Sequence, residues 1–225
     1  IVGAGAVGTE LAGEIAHAMP DKKVTLISSA ASLFPDLPPK LGASLAKKLR
    51  TSGVTLILDA RAENLQSFVE PYAGQVNLSN GQSIEADLII PAVGSRAKTD
   101  LLQSLPGAKK GSGNRIAVDA YLRPSDYPNV FAAGDVADAG DAMTIVAIGR
   151  QQPWLAKTLT ALAKGKSIDS LSPYSPWKKA PIAVPLGPER GNAYLGIATF
   201  GDWVTRQMKG RDLFISKYRK IFGLS

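Results

Sequence analysis

Apolar positions along the chain fall into short runs separated by glycine, proline and polar clusters, the pattern of strands alternating with helices. Ile1-Val2 leads directly into Gly3-Ala4-Gly5-Ala6-Val7-Gly8, so almost no strand precedes a glycine-rich turn. Leu11, Ile15 and Ala18 recur near helical spacing until Pro20-Asp21 ends the run, and Val24-Thr25-Leu26-Ile27 predicts the next strand. Beyond the loop Phe34-Pro35-Asp36-Leu37-Pro38-Pro39, the residues Leu41, Leu45, Lys48 and Leu49 predict a helix closed by Ser52-Gly53, and Val54 to Leu58 a buried strand. Gln75 to Leu78 and Gln82 to Glu85 flank Ser79-Asn80-Gly81, which signals a hairpin. Asp87-Leu88-Ile89-Ile90 predicts a further strand, ending in Pro91-Ala92-Val93-Gly94.

A second unit starts there. Residues 105–114 read as a surface loop, Arg115 to Val118 and Asn129 to Ala133 as strands, and Gly134-Asp135 closes the latter. A helical run over 142–164 contains Pro153, which predicts a kink or break. The Ser/Pro-rich stretch Ser170 to Pro176 reads as a linker, and two β-like runs, Pro181 to Leu186 and Ala193 to Ala198, follow it. They enclose Gly187-Pro188-Glu189-Arg190-Gly191-Asn192, and amphipathic helix or coil finishes the chain. No internal repeat is visible.

Composition narrows the function classes. At 225 residues and 45% hydrophobic content the chain has apolar mass for a folded core, and it is not a disordered segment. Lys and Arg outnumber Asp and Glu by 26 to 19, for a net charge of +7, which suits an anionic partner such as a phosphate-bearing cofactor, a membrane surface or nucleic acid. A nucleic-acid module is disfavoured, because the basic residues are not interleaved with a stacking platform and no recognition motif is present. With no cysteine, disulfides, dithiol redox chemistry and thiolate metal sites all drop out. The one histidine, His17, lies on the first helix beside Glu14 and reads as a solvated position, and Asp135, Asp138 and Asp141 are too weakly spaced to argue a metal. No apolar run reaches the ~18 residues of a membrane span. The expected location is intracellular, whether cytoplasmic, mitochondrial or peripheral to a membrane, and any targeting signal ahead of Ile1 is unreadable.

Strand, G-x-G-x-x-G turn, helix and second strand occur in the order of a dinucleotide-binding βαβ unit. In such a unit Gly3 makes the tight turn, Gly5 admits a pyrophosphate to the backbone, and Gly8 lets the helix pack close while its N-terminus faces the phosphates. Together with Ala86-Asp87-Leu88-Ile89-Ile90-Pro91-Ala92-Val93-Gly94 and Asn129-Val130-Phe131-Ala132-Ala133-Gly134-Asp135, this order resembles the two-dinucleotide-domain flavoprotein reductases. That family includes glutathione reductase, type II NADH dehydrogenases and the apoptosis-inducing factors. Gly187-Pro188-Glu189-Arg190-Gly191, followed by Gly210-Arg211-Asp212-Leu213-Phe214-Ile215-Ser216, resembles its ferroptosis-suppressor or AMID-like branch of NAD(P)H:quinone oxidoreductases.

The resemblance implies an α/β fold in three parts: a Rossmann-like NAD(P)-binding domain with a β-meander over 1–90, the C-terminal half of a FAD-binding lobe over 91–165, and a small α+β region with a basic tip over 166–225. It implies that Gly3, Gly5 and Gly8 hold the pyrophosphate of NAD(P)H and that Glu10 reaches the nicotinamide end. Glu10 is equally explained as a first-turn acid favoured by the helix dipole. Ser28 stands where NAD-preferring sites place an acid on the ribose, which leaves the choice between NADH and NADPH open. Gly94 matches the glycine where the dinucleotide lobes meet, although Pro91 and Ser95 depart from the commoner pattern. Gly134 and Asp135 match the turn whose aspartate accepts a hydrogen bond from the FAD ribityl chain, with helix capping as the alternative. Hydride would pass from nicotinamide to flavin and electrons onward to a quinone-type acceptor.

The first half of the family's FAD lobe has no counterpart here. Three explanations follow: a piece of a complete reductase; a second chain or homodimer partner that supplies the lobe; or a truncated, repurposed member acting without flavin as a binding protein or cofactor-independent enzyme. The C-terminal tip mixes Trp203, Val204, Met208, Leu213, Phe214, Ile221 and Phe222 with six basic side chains. Such a tip can cover the flavin side of a quinone site, dock on an anionic membrane, or simply pack against the domain.

Overall fold

The computed structural model describes residues 1–94, 96–100, 105 and 110–224, so Ser95 and residues 106–109 of the loop expected at 105–114 lie outside the described residues. The chain forms two units, Ile1–Gly94 with Pro181–Ser225, and Ser95–Ala180.

The first unit is built on a short parallel sheet. Strand β1 (Thr25–Ile27) pairs with β2 (Thr55–Ile57), and the stub at Val2 bridges both Ile27 and Pro91 in parallel. The Val2 amide donates to the Ile90 carbonyl at 2.9 Å and the Gly3 amide to the Ile27 carbonyl at 2.9 Å, so two residues suffice to occupy the centre of the sheet. Helix α1 (Ala6–Ala18) and helix α2 (Pro39–Thr51) complete the βαβ pattern. In α2, Leu41, Leu45 and Leu49 recur at i, i+4, i+8 and are fully buried, which is the apolar stripe that holds a helix onto a sheet.

The predicted hairpin is present as β3 (Tyr72–Asn77) and β4 (Ser83–Ile89), antiparallel. Here the sequence reading is corrected: the two expected segments Gln82 to Glu85 and Asp87 to Ile90 are one strand. The ladder runs continuously through Ala86 opposite Gly74, and a register shift between Tyr72 and Gly74 absorbs the irregularity. Val2, Ile27, Val76, Leu78 and Ile89 pack together, giving the sheet a second buried face.

From Pro181 the chain adds an antiparallel sheet, β7 (Ile182–Pro185), β8 (Gly191–Tyr194) and β9 (Thr199–Phe200), to this unit. Val184, Leu186 and Tyr194 share one core cluster with Leu26, Leu41, Leu45 and Leu49. Close approach depends on Gly13 of α1: a Cβ there would lie 2.6 Å from the Leu186 Cα. Helix α4 (Asp202–Thr205), a π-turn over Arg206–Gly210 and helix α5 (Ile215–Ile221) end the chain.

The second unit holds the parallel pair β5 (Ile116–Ala117) and β6 (Ala137–Asp138) and the long helix α3 (Ile145–Ala163). Asn129 to Ala133 is not a strand, contrary to expectation: Ala133 is extended, but the segment has no ladder partner among the described residues, and the Ala132 amide donates to the Leu122 carbonyl at 2.8 Å. Pairing occurs further on, at β6. Helix α3 continues through Pro153, whose missing amide forfeits a single backbone bond within a 19-residue helix. Its N-terminus is capped by Thr144, whose hydroxyl accepts the Ala147 amide at 3.3 Å.

Candidate functional site

The glycine turn lies at the end of the central strand stub, where backbone emerges from a parallel sheet into a helix. Gly3 has φ +107°, and a Cβ there would overlap the Ala92 carbonyl. A Cβ on Gly8 would overlap the Gly3 carbonyl, so α1 crosses the turn at a distance only glycine permits. Gly5 differs from both. Nothing lies within 4 Å of where its Cβ would stand, and its φ of −69° is open to any residue. As N-cap of α1 it offers no side-chain acceptor, and the first turn carries no acid. The first-turn amides have no side-chain cap, and the open space beside Gly5 lies at the positive end of a 13-residue helix, an arrangement suited to an anion that approaches backbone closely. These residues fit a dinucleotide pyrophosphate.

Glu10 is the fifth residue of α1, just past the first turn in which the helix dipole favours an acid. Its carboxylate accepts two bonds from the Lys209 ammonium, at 2.6 and 2.7 Å. Burial raises the Glu10 carboxyl above its ordinary range, while the Lys209 bond and charge pull it part of the way back and Glu14 adds to the rise. Lys209 escapes a linear reading because 199 residues separate the pair. The two halves of the C-terminal motif bring it there. Gly210 sits where a Cβ would be 2.9 Å from the Pro188 carbonyl, and Arg206 pairs with Glu189 at 3.1 Å. Gly187, in turn, packs against the His17 ring on α1. The exposed His17 is thus a neighbour of the C-terminal loop.

Ser28 follows β1, buried, with its hydroxyl accepting the Ala30 amide at 3.2 Å. No carboxylate takes that place in the turn after the strand. Gly94, at φ +96°, has open space around it at the last position of the first segment.

In the second unit Gly134 opens a 3-10 turn, Gly134–Val136, in which Asp135 is exposed. The Gly134 amide donates to Gln151 Oε1 at 2.6 Å, and Gln151 Nε2 donates to Asp141 Oδ2 at 3.0 Å. Asp141 also accepts the Tyr174 hydroxyl at 2.5 Å and the Trp177 amide at 3.3 Å, with Arg150 at 3.7 Å. Burial, then the bond and charge of Asp141, push the Tyr174 phenol up to about 12. The stretch expected to be a linker is thereby tied to the Gly134 turn. Gln151 had no signal in the sequence, since one buried amide on a helix looks like any surface glutamine. Asp138 bonds Ser112 and pairs with Arg115 at 3.5 Å, so Asp138 and Asp141 are both committed to protein partners. No group of three metal-ligating residues exists among the described residues.

A parallel sheet with a glycine turn entering an uncapped helix is the arrangement of the dinucleotide-binding folds. The chain belongs to the pyridine nucleotide-disulphide oxidoreductase family, whose sequence profile matches residues 1–165. Membership implies use of NAD(P)H and FAD by the family. Similar proteins include an FAD-dependent oxidoreductase of Flammulina velutipes, 28% identical over 100% of this chain and 69% of that protein. Apoptosis-inducing factor homolog B of Dictyostelium discoideum is 30% identical, over 97% of this chain and 61% of its own length. Human ferroptosis suppressor protein 1 is 27% identical, over 96% and 58% respectively. The chain thus spans 58 to 69% of the length of these three relatives. Among solved structures, the fold matches reduced Bacillus anthracis CoADR-RHD with a TM-score of 0.62 at 19% identity, over 100% of this chain and 36% of that one. It also matches the Escherichia coli flavoprotein disulfide reductase RclA, at 0.63 and 22%, over 87% and 41%.

Proposed function

We propose that this chain is the pyridine-nucleotide-binding part of a flavin-dependent oxidoreductase that carries hydride from NAD(P)H through FAD to a quinone-type acceptor. The observation that carries the reading is the open backbone at Gly5 before the uncapped α1, flanked by two glycines that no side chain can replace. The redox chemistry resides in the cofactors, hydride moving from nicotinamide to flavin and electrons onward to the acceptor, so the protein's task is to bind and orient. Gly3 to Gly8 hold the pyrophosphate, Ser28 meets the adenosine ribose, and Glu10, fixed by Lys209, presents a carboxylate at the far end of α1's first turns. Asp135, in a turn held by Gln151, is the flavin-side contact. The relationship to a protein named FAD-dependent oxidoreductase supports the flavin part of the reading.

Calorimetry with NADH and NADPH tests it. Binding of either nucleotide by the wild-type chain, abolished by Gly5→Val, is expected. Absence of heat with both nucleotides at millimolar concentration would defeat the proposal. Flavin uptake by the same chain should be weak, since a ribityl hydrogen bond contributes only about 1–3 kcal/mol. An absorbance spectrum of the purified protein reads this directly.

A further inference from the structure

Helix α5 differs from α1, α2 and α4 of the same unit, each of which has buried residues. None of its residues is buried. Ile215 is 58% exposed, Ile221 63%, Phe222 72% and Leu224 58%, within ten residues of chain. A seven-residue helix gains too little from its own hydrogen bonds to be held without packing on something. Between Leu213 and Leu224 the only charged residues are Lys217, Arg219 and Lys220, with no acid. The Lys217 ammonium lies 5.5 Å from the ring centroids of both Phe214 and Tyr218, so the charge is set among aromatic side chains. Ser216, Arg219 and Lys220 line an open groove with Leu224, so donors for a phosphate border an apolar side chain.

We propose that residues 213–224 form a docking tip for anionic phospholipid membrane, with Ile221, Phe222 and Leu224 entering the headgroup boundary and Lys217 and Lys220 meeting the lipid phosphates. Exposed apolar side chains next to uniformly basic ones complement an acidic, amphiphilic surface. A second copy of the chain fits less well, because two such tips would bring three like charges against three. The docking does not depend on the redox reading, and vesicles free of nucleotide and quinone keep the two separable.

The test is co-sedimentation of the full chain with phosphatidylcholine vesicles and with vesicles containing phosphatidylserine. Binding to the anionic vesicles alone is expected, weakening as salt shortens the reach of the charges. Each neutralised charge is expected to lower binding about fivefold, so Lys217→Gln with Lys220→Gln gives a loss of roughly 25-fold. Phe222→Ser, at an exposed position, is expected to weaken binding about tenfold while leaving the circular dichroism spectrum unchanged. Equal binding to both vesicle types, no binding to either, or binding indifferent to both variants overturns the proposal. So does a dimer in sedimentation equilibrium that Phe222→Ser dissolves, since a second copy would then cover the tip.

Discussion

Single residues decide whether the glycine turn holds a ligand, and Gly5 and Gly8 fail in different ways when replaced. Gly5→Val adds a side chain into open space at an ordinary φ, so the thermal midpoint is expected to stay within a degree or two while nucleotide binding disappears from calorimetry. Gly8→Ala, by contrast, forces a methyl into the Gly3 carbonyl; denaturant melts should show a loss of about 1–3 kcal/mol along with the binding. Ser28→Asp places a carboxylate in the turn after β1, and the ratio of NADH to NADPH affinity is expected to rise about tenfold or more by repulsion of the 2′-phosphate. Gly3 and Gly8 were legible because each answers a local backbone demand, a positive φ at Gly3 and a close helix crossing at Gly8. Lys209 was not, since its partner Glu10 is reached only through the folded C-terminal turn.

Between elements, buried polar groups do the joining. In the second unit Asp141 ties α3 to the Tyr174 stretch, and removing it leaves the Tyr174 hydroxyl and Gln151 without their acceptor. Asp141→Ala should therefore cost about 2–4 kcal/mol in urea unfolding. An alkaline titration followed by tyrosinate absorbance adds an independent reading. With Asp141 present, the folded Tyr174 titrates near 12, above its unfolded value of about 10, so its contribution to stability is complete below about pH 10 and is lost as pH rises through about 12. In the variant the phenol should titrate lower and that loss at high pH should shrink.

The first unit has its own tie. Lys48 on α2 donates to the Gly191 carbonyl at 2.6 Å and to Asp202 at 2.7 Å. Burial alone would raise the Asp202 carboxyl, but the Lys48 and Gly191 bonds hold it below its usual range. Its stabilising contribution is therefore present above about pH 4 and falls as pH drops further. Because Asp202 is half exposed, the contribution is small, and Lys48→Met should cost no more than about 1 kcal/mol.

For the whole molecule, the C-terminal segment is part of the first unit's core. Val184, Leu186 and Tyr194 share a cluster with β1 and α2, and Leu186 fills the notch at Gly13. A protein ending before Pro181 is expected to lose its cooperative thermal transition by circular dichroism, because Leu26, Leu41 and Leu45 would keep apolar surface in contact with water. A retained sharp transition would show that the first 94 residues fold without help. Gly13→Ala should weaken the same junction by about 1–3 kcal/mol, since a Cβ would press on Leu186 backbone.

Much of the fold was readable from local pattern: the helical stripe Leu41, Leu45, Leu49, the turn signal Ser79-Asn80-Gly81, and the order of strand, glycine turn and helix from Ile1 to Ile27. These features are written within one turn or one strand, where spacing and backbone freedom act. The family followed from three such motifs in order, a reading the profile match over residues 1–165 bears out. What pairing decides was not readable. Asn129 to Ala133 has strand composition but no neighbour among the described residues, and Gln82 to Ile90 is one strand because β3 offers one continuous ladder. Tertiary structure alone placed Lys209 on Glu10, Gln151 on Gly134 and Tyr174 on Asp141, because each contact depends on where a folded chain returns. It also left α5 without a buried residue, since burial is a property of the assembled surface and helical spacing cannot reveal it.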